Sequence, residues 1–370
     1  MKRYESIGKY IHLTDTRNSD LSVSNLVGLT IEKRYIPSVA NIIGTDLSKY
    51  KVIKHGQFAC SLMQVSRDGK MPVAMYKGEP AIMSPAYPIF EVNDVNELMP
   101  EYLHMYLSRP EFDREAVFHA VGGVRGSLDW EDFMCLKMPI PDIDEQRKIV
   151  AEYHAIEQRI ENNNRLIKAL EDTAQAIYHH TFVENIDPEN LPEGWRWGNL
   201  TDIANINMGQ SPEGECLNTI GEGEVFYQGR TDFGVRFPDI RIYTTDAKKY
   251  ASAYDILMSV RAPVGDLNIT RRKCAIGRGI AAITPKIGLS FVFYTLLNQT
   301  AQFKKSNDEG TIFGSIGKDE LYELKVLVPN ENIVNMFNSK VEKIDKSIDS
   351  LDLENNTLFK VRDLFLFKLS

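Results

Sequence analysis

Apolar residues recur at alternating steps of four and three in two stretches, one in the middle of the chain and one at its end. The first stretch has Ile149, Tyr153, Ile156, Ile160, Asn163, Ile167, Leu170, Ala174 and Ile177 at these positions, and the second has Phe337, Val341, Ile344, Ile348, Leu351, Asn355, Leu358, Arg362 and Phe365. This period is typical of the seam by which one helix packs on another. Two seams of equal length favour pairing of the two helices with each other over packing of each helix on its own domain alone. The asparagine in each seam is expected to fix the register.

The borders of these helices are marked by capping residues and by a polar linker. Asp142 follows a P-I-P stretch and has Glu145 three positions later, which is a capping-box pattern. Asn330 stands at the matching place before the second stretch. The first helix is expected to end near Phe182, because the proline- and glycine-containing segment 185–194 reads as a linker.

A repeat relates the two halves of the chain. At a shift of 188 residues, G-S-L at 126–128 matches G-S-I at 314–316, Leu136 matches Leu324, and Ile156 matches Ile344. For the A-I pairs at 81–82 and 275–276 the shift drifts to 194, which indicates loop insertions. The chain therefore contains two copies of one unit.

Each copy has a first part with mixed α/β signals, followed by its long helix. Apolar and alternating runs predict strands at 57–65, 86–92, 255–260 and 279–283, and helices at 97–108 and 290–301. The same order of elements in both copies indicates two globular domains of one shared fold.

The charge is unevenly distributed along the chain. The 370 residues include 43 basic and 51 acidic side chains, an excess that taken as a whole argues against nucleic acid as a partner. Residues 1–90, however, have 12 basic against seven acidic side chains, and residues 241–286 have nine against three. A basic zone in each copy is the footprint of a phosphate backbone, although a solvated charged surface is the alternative for either zone alone.

Motifs for catalysis, metal binding and export are missing from the sequence. It contains no P-loop, no H-E-x-x-H, no G-x-S-x-G and no C-x-x-C among its four cysteines. The G-x-G-x-x-A at 277–282 matches a weak dinucleotide pattern, but Thr284 and Pro285 follow where a helix should begin, so its glycines are better explained by a bulge or by a close backbone approach to a ligand. Without a signal peptide or an 18-residue apolar run, the expected location is the reducing cytoplasm, with no membrane contact.

Short motifs stand in a fixed order in the two copies. In the second copy they are L-P-E-G-W at 191–195, G-Q-S-P at 209–212, F-Y-Q-G-R-T-D-F-G at 226–234 and D-I-L-M-S-V-R-A-P-V-G at 255–265, and in the first they are I-P-S at 36–38, G-V-R-G-S-L at 123–128, P-I-P at 139–141 and E-Q at 145–146. In this order, each set followed by a heptad helix, they resemble the specificity (S) subunit of type I restriction-modification systems over nearly the whole chain. The first copy lacks the L-P-x-G-W lead, the second has N-I at 332–333 where the first has E-Q, and the C-terminus stops where related chains run slightly further.

The resemblance implies an α/β (α+β) fold with two target-recognition domains in a pseudo-twofold repeat, separated by an antiparallel two-helix coiled coil. The expected borders are 1–141 and 187–329 for the domains, and 142–186 and 330–370 for the spacer helices. Each domain would read one half of a bipartite double-stranded DNA site, and the chain would have neither catalysis nor a cofactor of its own. Two methyltransferase (M) subunits would methylate adenine N6 from S-adenosylmethionine, and motor-nuclease (R) subunits would cleave DNA with ATP and Mg.

Candidate DNA contacts follow from residue type, local basicity and the resemblance. Phosphate contacts carry no sequence information and need only positive charge; the candidates are Lys33, Lys51, Lys54, Arg271, Arg272 and Lys273. Arginine can bind guanine through two hydrogen bonds and glutamine can bind adenine in the same way. The candidate base readers are Gln228, Arg230, Arg236, Arg261 and Arg278 in the second domain, and Arg34, Ser38, Arg67 and Lys70 in the first.

Two other classes of function stay open at this point. A fused methyltransferase-specificity chain would need a glycine-rich cofactor loop and an intact D/N/S-P-P-Y/F motif, whereas S-P-A-Y at 84–87 departs from that motif and the loop is missing. A coiled-coil scaffold that assembles proteins without DNA would show no salt-dependent binding to duplex DNA, which is the observation that separates it from a DNA reader.

Overall fold

A computed structural model describes residues 4–38, 44–63, 65–121, 126–184, 186–308 and 315–369 of the chain, with the backbone alone for 301–308. The chain divides into two compact units. Unit 1 comprises Met1–Asn163 and Leu353–Ser370, and unit 2 comprises Asn164–Asp352. Each long helix thus contributes one part to each unit, whereas the sequence prediction treats the helices as separate segments.

The elements are short strands, short helices and two long helices. Up to the end of the first long helix they are β1 (Tyr4–Ser6), β2 (Ile11–Thr14), β3 (Val27–Leu29), β4 (Tyr35–Pro37), β5 (Lys51–Ile53), β6 (Phe58–Cys60), α1 (Val65–Asp68), β7 (Val73–Met75), β8 (Ala81–Met83), β9 (Ile89–Val92), α2 (Pro100–Leu107), α3 (Pro110–Ala120), α4 (Trp130–Cys135), β10 (Lys137–Pro139) and α5 (Ile143–Phe182). After it come β11 (Arg196–Asn199), α6 (Leu200–Ile203), β12 (Ala204–Met208), β13 (Leu217–Asn218), β14 (Glu224–Tyr227), β15 (Ile242–Thr244), β16 (Tyr250–Ala251), β17 (Ile256–Ser259), β18 (Leu267–Ile269), β19 (Cys274–Ile276), β20 (Ile280–Pro285), α7 (Leu289–Asp308), α8 (Lys318–Tyr322), β21 (Lys325–Val328) and α9 (Glu331–Phe367). Short 3-10 helices lie at Ile7–Lys9, Leu47–Lys49, Gly214–Cys216 and Arg230–Asp232.

Unit 1 is built on a four-stranded antiparallel sheet with the order β2-β9-β6-β7. Phe58 and Phe90 stack on this sheet, and Phe133 bridges from Phe90 to Phe112, so that all four rings are fully buried. These contacts attach α3 and α4 to the sheet. The pairs β3-β4 and β5-β8 form a second group of strands with a smaller apolar cluster.

Unit 2 has a four-stranded antiparallel sheet with the order β12-β20-β17-β18 and a five-stranded sheet with the order β13-β15-β14-β19-β16. The apolar run of β17 is buried on both faces, which explains why it reads as continuous rather than alternating. Helix α7 adds Phe291, Val292 and Leu296 to the core of this unit.

The strand pairings of unit 1 recur in unit 2. The pair β1-β10 corresponds to β11-β21, and β2-β9-β6-β7 corresponds to β12-β20-β17-β18. In unit 1, β8 pairs with β5 in the antiparallel direction and with Leu26 in the parallel direction. In unit 2, β19 pairs with β16 in the antiparallel direction and with β14 in the parallel direction. The A-I pairs at 81–82 and 275–276 thus lie in equivalent strands. The repeat in sequence is therefore a repeat of topology, while the pseudo-twofold relation between the domains stays a prediction.

Main-chain hydrogen bonds recur at the shift found in the sequence. The carbonyl oxygen of Leu136 accepts from Ile7 N–H at 2.8 Å, and that of Leu324 accepts from Leu200 N–H at 2.9 Å. Likewise, Leu128 N–H donates to Leu62 O at 3.0 Å, and Ile316 N–H donates to Val260 O at 2.9 Å. Residues matched by the 188-residue shift thus close each unit in the same manner.

The long helices begin at the residues that the sequence indicates. Glu145 N–H donates to Asp142 Oδ1 at 3.0 Å, and Ile333 N–H donates to Asn330 Oδ1 at 3.1 Å. Each side chain satisfies an N–H group that the first helical turn leaves unpaired. The end of α5 at Phe182 agrees with the prediction.

In each unit the parts of α5 and α9 pack antiparallel to each other. In unit 1, Tyr153 contacts Phe365 and Asn163 bonds Asn355, so the residue numbers rise along one helix as they fall along the other. In unit 2, Phe337 contacts both Tyr178 and Phe182. All residues predicted for the seam are buried or half-buried, namely Ile149, Ile156, Ile160, Asn163, Ile167, Leu170, Val341, Ile344, Ile348, Leu351, Asn355 and Leu358.

Some predicted element borders are wrong. The strand expected over 57–65 ends at Cys60, and Val65 begins the short helix α1 with its side chain fully buried. A short apolar run has no period that would distinguish a strand from a buried helical turn. Among the residues described, no helix combines the length and the hydropathy needed to cross a lipid bilayer.

Candidate nucleic-acid interface

The ends of two parallel strands meet at one side of unit 2. β14 and β19 are parallel neighbours, with Phe226 beside Ala275, so the chain leaves both strands in the same direction. The segments that follow are 228–230 and 277–279. Gly277 N–H donates to Tyr227 O at 2.8 Å and ties the two segments together.

Two further segments reach the same place from β12 and β17, because both strands end beside the start of β20. Gly209 N–H donates to Ile280 O at 2.9 Å, and Val260 N–H donates to Gly279 O at 3.0 Å. The segments 209–212, 228–230, 260–261 and 277–279 therefore form one surface, called here the loop edge. Three of these segments belong to motifs that carry the resemblance.

Glycines allow these segments to approach one another closely. A Cβ atom on Gly209 would lie 2.2 Å from the carbonyl oxygen of Gly277, and one on Gly279 would lie 2.7 Å from that of Gln228. No side chain fits at these distances. The G-x-G-x-x-A stretch forms the turn from β19 to β20 and opens no helix, and its glycines lie close to neighbouring protein atoms, whereas their close approach to a ligand stays a prediction.

A buried carboxylate fixes the segment after β14. Asp232 Oδ2 accepts hydrogen bonds from the main-chain N–H groups of Gln228 at 2.7 Å and Gly229 at 3.3 Å. Its other oxygen accepts from Arg241 at 2.6 Å, and the residue is only 2% exposed. Asp232 belongs to the F-Y-Q-G-R-T-D-F-G motif but is missing from the predicted contacts.

Polar side chains line a cavity of about 430 Å³ at the loop edge. The side chains of Gln210, Gln228 and Arg278 border it, with Ser211 and the ring of Phe226. Ser211 Oγ accepts the main-chain N–H of Arg278 at 3.2 Å. Gln210 and Ser211 belong to the G-Q-S-P motif but are missing from the predicted contacts; their place beside Gln228 depends on strand pairing, which the sequence alone did not reveal.

The structure separates the candidate base readers of the second domain into two groups. Gln228, Arg261 and Arg278 lie at the loop edge with exposed side chains. Arg230 also lies there, but its Nε donates to Asp266 Oδ2 at 2.5 Å. The roles of these residues in reading DNA stay predictions.

The structure argues against Arg236 as a base reader. Its side chain is 3% exposed, and Nη2 lies 2.5 Å from Asp345 Oδ1. Nη1 donates to Tyr294 Oη at 3.1 Å and lies 3.7 Å from Glu171 Oε1. The guanidinium N–H groups of Arg236 are occupied by partners on α5, α7 and α9 and are not available to a base. We therefore withdraw this candidate.

Of the phosphate candidates in unit 2, Arg271 is also withdrawn. It bonds Asp349 at 2.6 Å and Asp352 at 2.8 Å on α9, and it stacks on the ring of Phe237 at 3.5 Å. Arg272 is exposed. Lys273 is exposed as well and lies over the ring of Tyr250 at 4.2 Å.

Among the candidates in unit 1, the two lysines nearest the core are engaged within the protein. Lys33 Nζ lies 2.8 Å from Asp113 Oδ1 and donates to Leu107 O at 2.6 Å. Burial lowers the pKa of Lys33, against the opposing effect of Asp113. Because its side chain is 9% exposed, we withdraw Lys33 as a phosphate contact. Lys51 donates to Tyr87 O at 3.0 Å and its side chain is 13% exposed.

The other candidates in unit 1 lie at or near the surface. Ser38 is half-buried, and its N–H donates to Leu26 O at 3.0 Å. The exposed candidates are Arg34, Lys54, Arg67 and Lys70, of which Arg67 bonds its neighbour Asp68 at 2.7 Å. Within the described ranges, no cluster of three or more potential metal ligands occurs.

Comparisons with known proteins agree with the motifs. Residues 192–360 match the family model of the type I restriction modification DNA specificity domain. The putative type I restriction enzyme MjaX specificity subunit of Methanocaldococcus jannaschii is 28% identical over 345 residues, which cover 88% of this chain and 79% of that protein. The type I restriction enzyme HindI specificity subunit of Haemophilus influenzae is 22% identical over 376 residues, with 78% and 80% covered.

A solved structure has a similar fold. The crystal structure of the type I restriction-modification S subunit from M. genitalium has 17% sequence identity and a TM-score of 0.58, with 100% of this chain and 96% of that chain covered. At this identity the likeness concerns the fold, and it agrees with two mixed helix-strand domains joined to long helices.

Proposed function

We propose that this chain is the DNA-reading subunit of a type I restriction-modification complex, because residues 192–360 match the type I restriction modification DNA specificity domain and similar proteins are named specificity subunits of such enzymes. Each globular domain reads one half-site of a bipartite double-stranded sequence. The observation that carries this proposal is the loop edge, where four segments present exposed polar and basic side chains on a main chain held by hydrogen bonds. Rigid placement of such groups is what base-edge recognition requires.

The chain is a non-catalytic subunit, and the chemistry belongs to its partners. Two methyltransferase subunits bind it and methylate adenine N6 from S-adenosylmethionine, and motor-nuclease subunits use ATP and Mg. Since a methyltransferase must reach a base inside a duplex, the partner is expected to flip that base out of the stack.

The paired helices α5 and α9 are proposed to set the spacer between the two half-sites. Each helix is a single element of 40 or 37 residues, and each contributes to both units. A coiled-coil pair has a length set by its residue count, so it sets the spacer between the half-sites.

Binding to duplex DNA at several salt concentrations tests the proposal. The complete complex with its methyltransferase should bind one bipartite sequence more tightly than random duplex. The logarithm of its association constant should fall linearly with the logarithm of the salt concentration. Equal, salt-independent binding to all duplexes would contradict DNA reading and would favour a protein scaffold.

A further inference from the structure

Three residues that line the cavity at the loop edge share one property. The main chain of each is held: Gln210 N–H donates to Ile276 O at 3.0 Å, and Gln228 N–H donates to Asp232 Oδ2 at 2.7 Å. Arg278 N–H donates to Ser211 Oγ at 3.2 Å. Within the residues that the structure describes, however, the amide and guanidinium groups of these side chains form no hydrogen bond or ion pair.

Two other arginines near this surface have already used their hydrogen-bonding groups. Arg230 is paired with Asp266, and Arg236 is enclosed by Asp345, Glu171 and Tyr294. A guanidinium that holds a carboxylate in its fork must break that pair before it binds a base. Arg278 has no such competitor among the described residues, so its fork is available.

The chemistry of the three side chains specifies what they bind. The guanidinium fork matches O6 and N7 of guanine, and a glutamine amide matches N6 and N7 of adenine. The three border one cavity of about 430 Å³. Neighbouring base pairs are about 3.4 Å apart along the helix axis. Because the three residues line one cavity, we expect them to reach adjacent base pairs.

We propose that Gln210, Gln228 and Arg278 are the base-reading group of residues 187–329, in which Arg278 reads a G·C pair and the two glutamines read neighbouring A·T pairs. This assignment rests on the proposed function. It goes beyond that function because it names the residues, the base pairs and their adjacency.

Selection from a randomised half-site tests the assignment. The complex of full-length chain and methyltransferase is incubated with duplexes in which the half-site of residues 187–329 is random and the other half-site is constant. Bound duplexes are sequenced for the wild type and for Gln210→Ala, Gln228→Ala, Arg278→Ala and Arg278→Lys. Arg272→Ala is the control, because it removes the same charge from an exposed arginine at the opposite end of β19.

Arg278→Ala should lose discrimination at one G·C position by about 5- to 150-fold, as expected for one bidentate pair. Arg278→Lys should relax the same position, since it keeps the charge but lacks the fork. Each glutamine variant should relax an A·T position next to it. Arg272→Ala should relax no position and should at most weaken binding to all sequences equally.

Failure of the assignment is distinct from failure of the proposed function. If Arg278→Ala weakens all sequences equally, as Arg272→Ala does, Arg278 contacts phosphate and the assignment is wrong although DNA reading stands. The assignment is also wrong if the variants lose sequence preference at base pairs that are not adjacent. The same holds if Arg278→Ala loses preference at an A·T pair or a glutamine variant loses it at a G·C pair. If the wild-type complex selects no half-site, the proposed function itself fails.

Discussion

The side-chain amide of Asn163 donates a hydrogen bond to the side-chain oxygen of Asn355, with 3.0 Å between Nδ2 and Oδ1. Both residues are buried, at 2% and 4% exposure. Each is the asparagine of its seam, so the two polar positions of the helix pair meet each other. In a register shifted by one heptad, at least one amide would face an aliphatic side chain, and leaving a buried polar group without a partner costs about 1–3 kcal/mol.

Replacing one asparagine should therefore be more harmful than replacing both. Asn163→Leu leaves the Asn355 oxygen without this donor, and the free energy of unfolding should fall by about 1–3 kcal/mol. The double variant Asn163→Leu/Asn355→Leu should recover most of that loss. Urea unfolding of the four members of this cycle measures the effect. Simple addition of the two single losses would show that the pair does not couple the helices.

Arg236 should be a structural residue and not a base reader. Removing one partner of a buried ion pair costs about 3–5 kcal/mol, so Arg236→Ala should strongly lower the free energy of unfolding. Arg230→Ala, which breaks the more exposed pair with Asp266, is the matched control and should cost at most about 1 kcal/mol. Unchanged stability of Arg236→Ala, together with relaxed preference at one base position, would restore Arg236 as a reader.

His104 should make the protein less stable in mild acid. Burial lowers the pKa of His104 from 6.5 to about 4, and its Nδ1 has no hydrogen-bond partner in the described part of the chain. In the unfolded chain His104 binds a proton below about pH 6.5, whereas in the folded protein it binds one only below about pH 4. The free energy of unfolding should therefore fall as the pH decreases across this window. The free energy of unfolding of His104→Gln should depend less on pH between these limits. Identical pH profiles of variant and wild type would contradict the prediction.

The loop edge should not tolerate a side chain on Gly209. In Gly209→Ala the new methyl group would lie 2.2 Å from the carbonyl oxygen of Gly277, so the segments 209–212 and 277–279 must move apart. Specific DNA binding should be lost while non-specific binding persists. Gly214→Ala is the control at the same cavity, because its Cβ would have open space. Equal specificity of the two variants in a duplex binding assay would argue against the loop edge as the reading surface.

The paired helices should act as a ruler. Seven residues inserted into both helices beside Asn163 and Asn355 add about 10.5 Å at about 1.5 Å per residue, and about 3.4 Å separates successive base pairs. The spacer between the half-sites should therefore grow by about three base pairs while both half-sites stay the same. Mapping of methylated adenines in cells measures the spacer. An unchanged spacer would exclude this role of the helices.

Features set by nearby residues could be predicted from the sequence. Asp142 and Asn330 cap helices that begin one residue later, and the heptad positions lie along single helices, so local pattern was sufficient. The repeat was also visible, because residues such as Leu136 and Leu324 accept equivalent main-chain hydrogen bonds.

Interactions between distant residues could not be predicted in this way. Arg236 and Arg271 were candidates for DNA contact, but their partners Asp345 and Asp349 are about 80 to 110 positions away, on α9. Residue type and local charge suggest contacts with DNA for these two arginines and for the exposed arginines of the loop edge alike. Only the packing of the domain against the helix distinguishes an arginine that holds the fold together from one that is available at the surface.

Sequencing of methylated adenines in a host that expresses this chain with its methyltransferase tests the central claim most directly. The account predicts methylation within one bipartite motif, with two half-sites and a spacer of fixed length, and loss of that motif when the chain is omitted. Methylation at a continuous motif, or a pattern that stays the same without the chain, would contradict it.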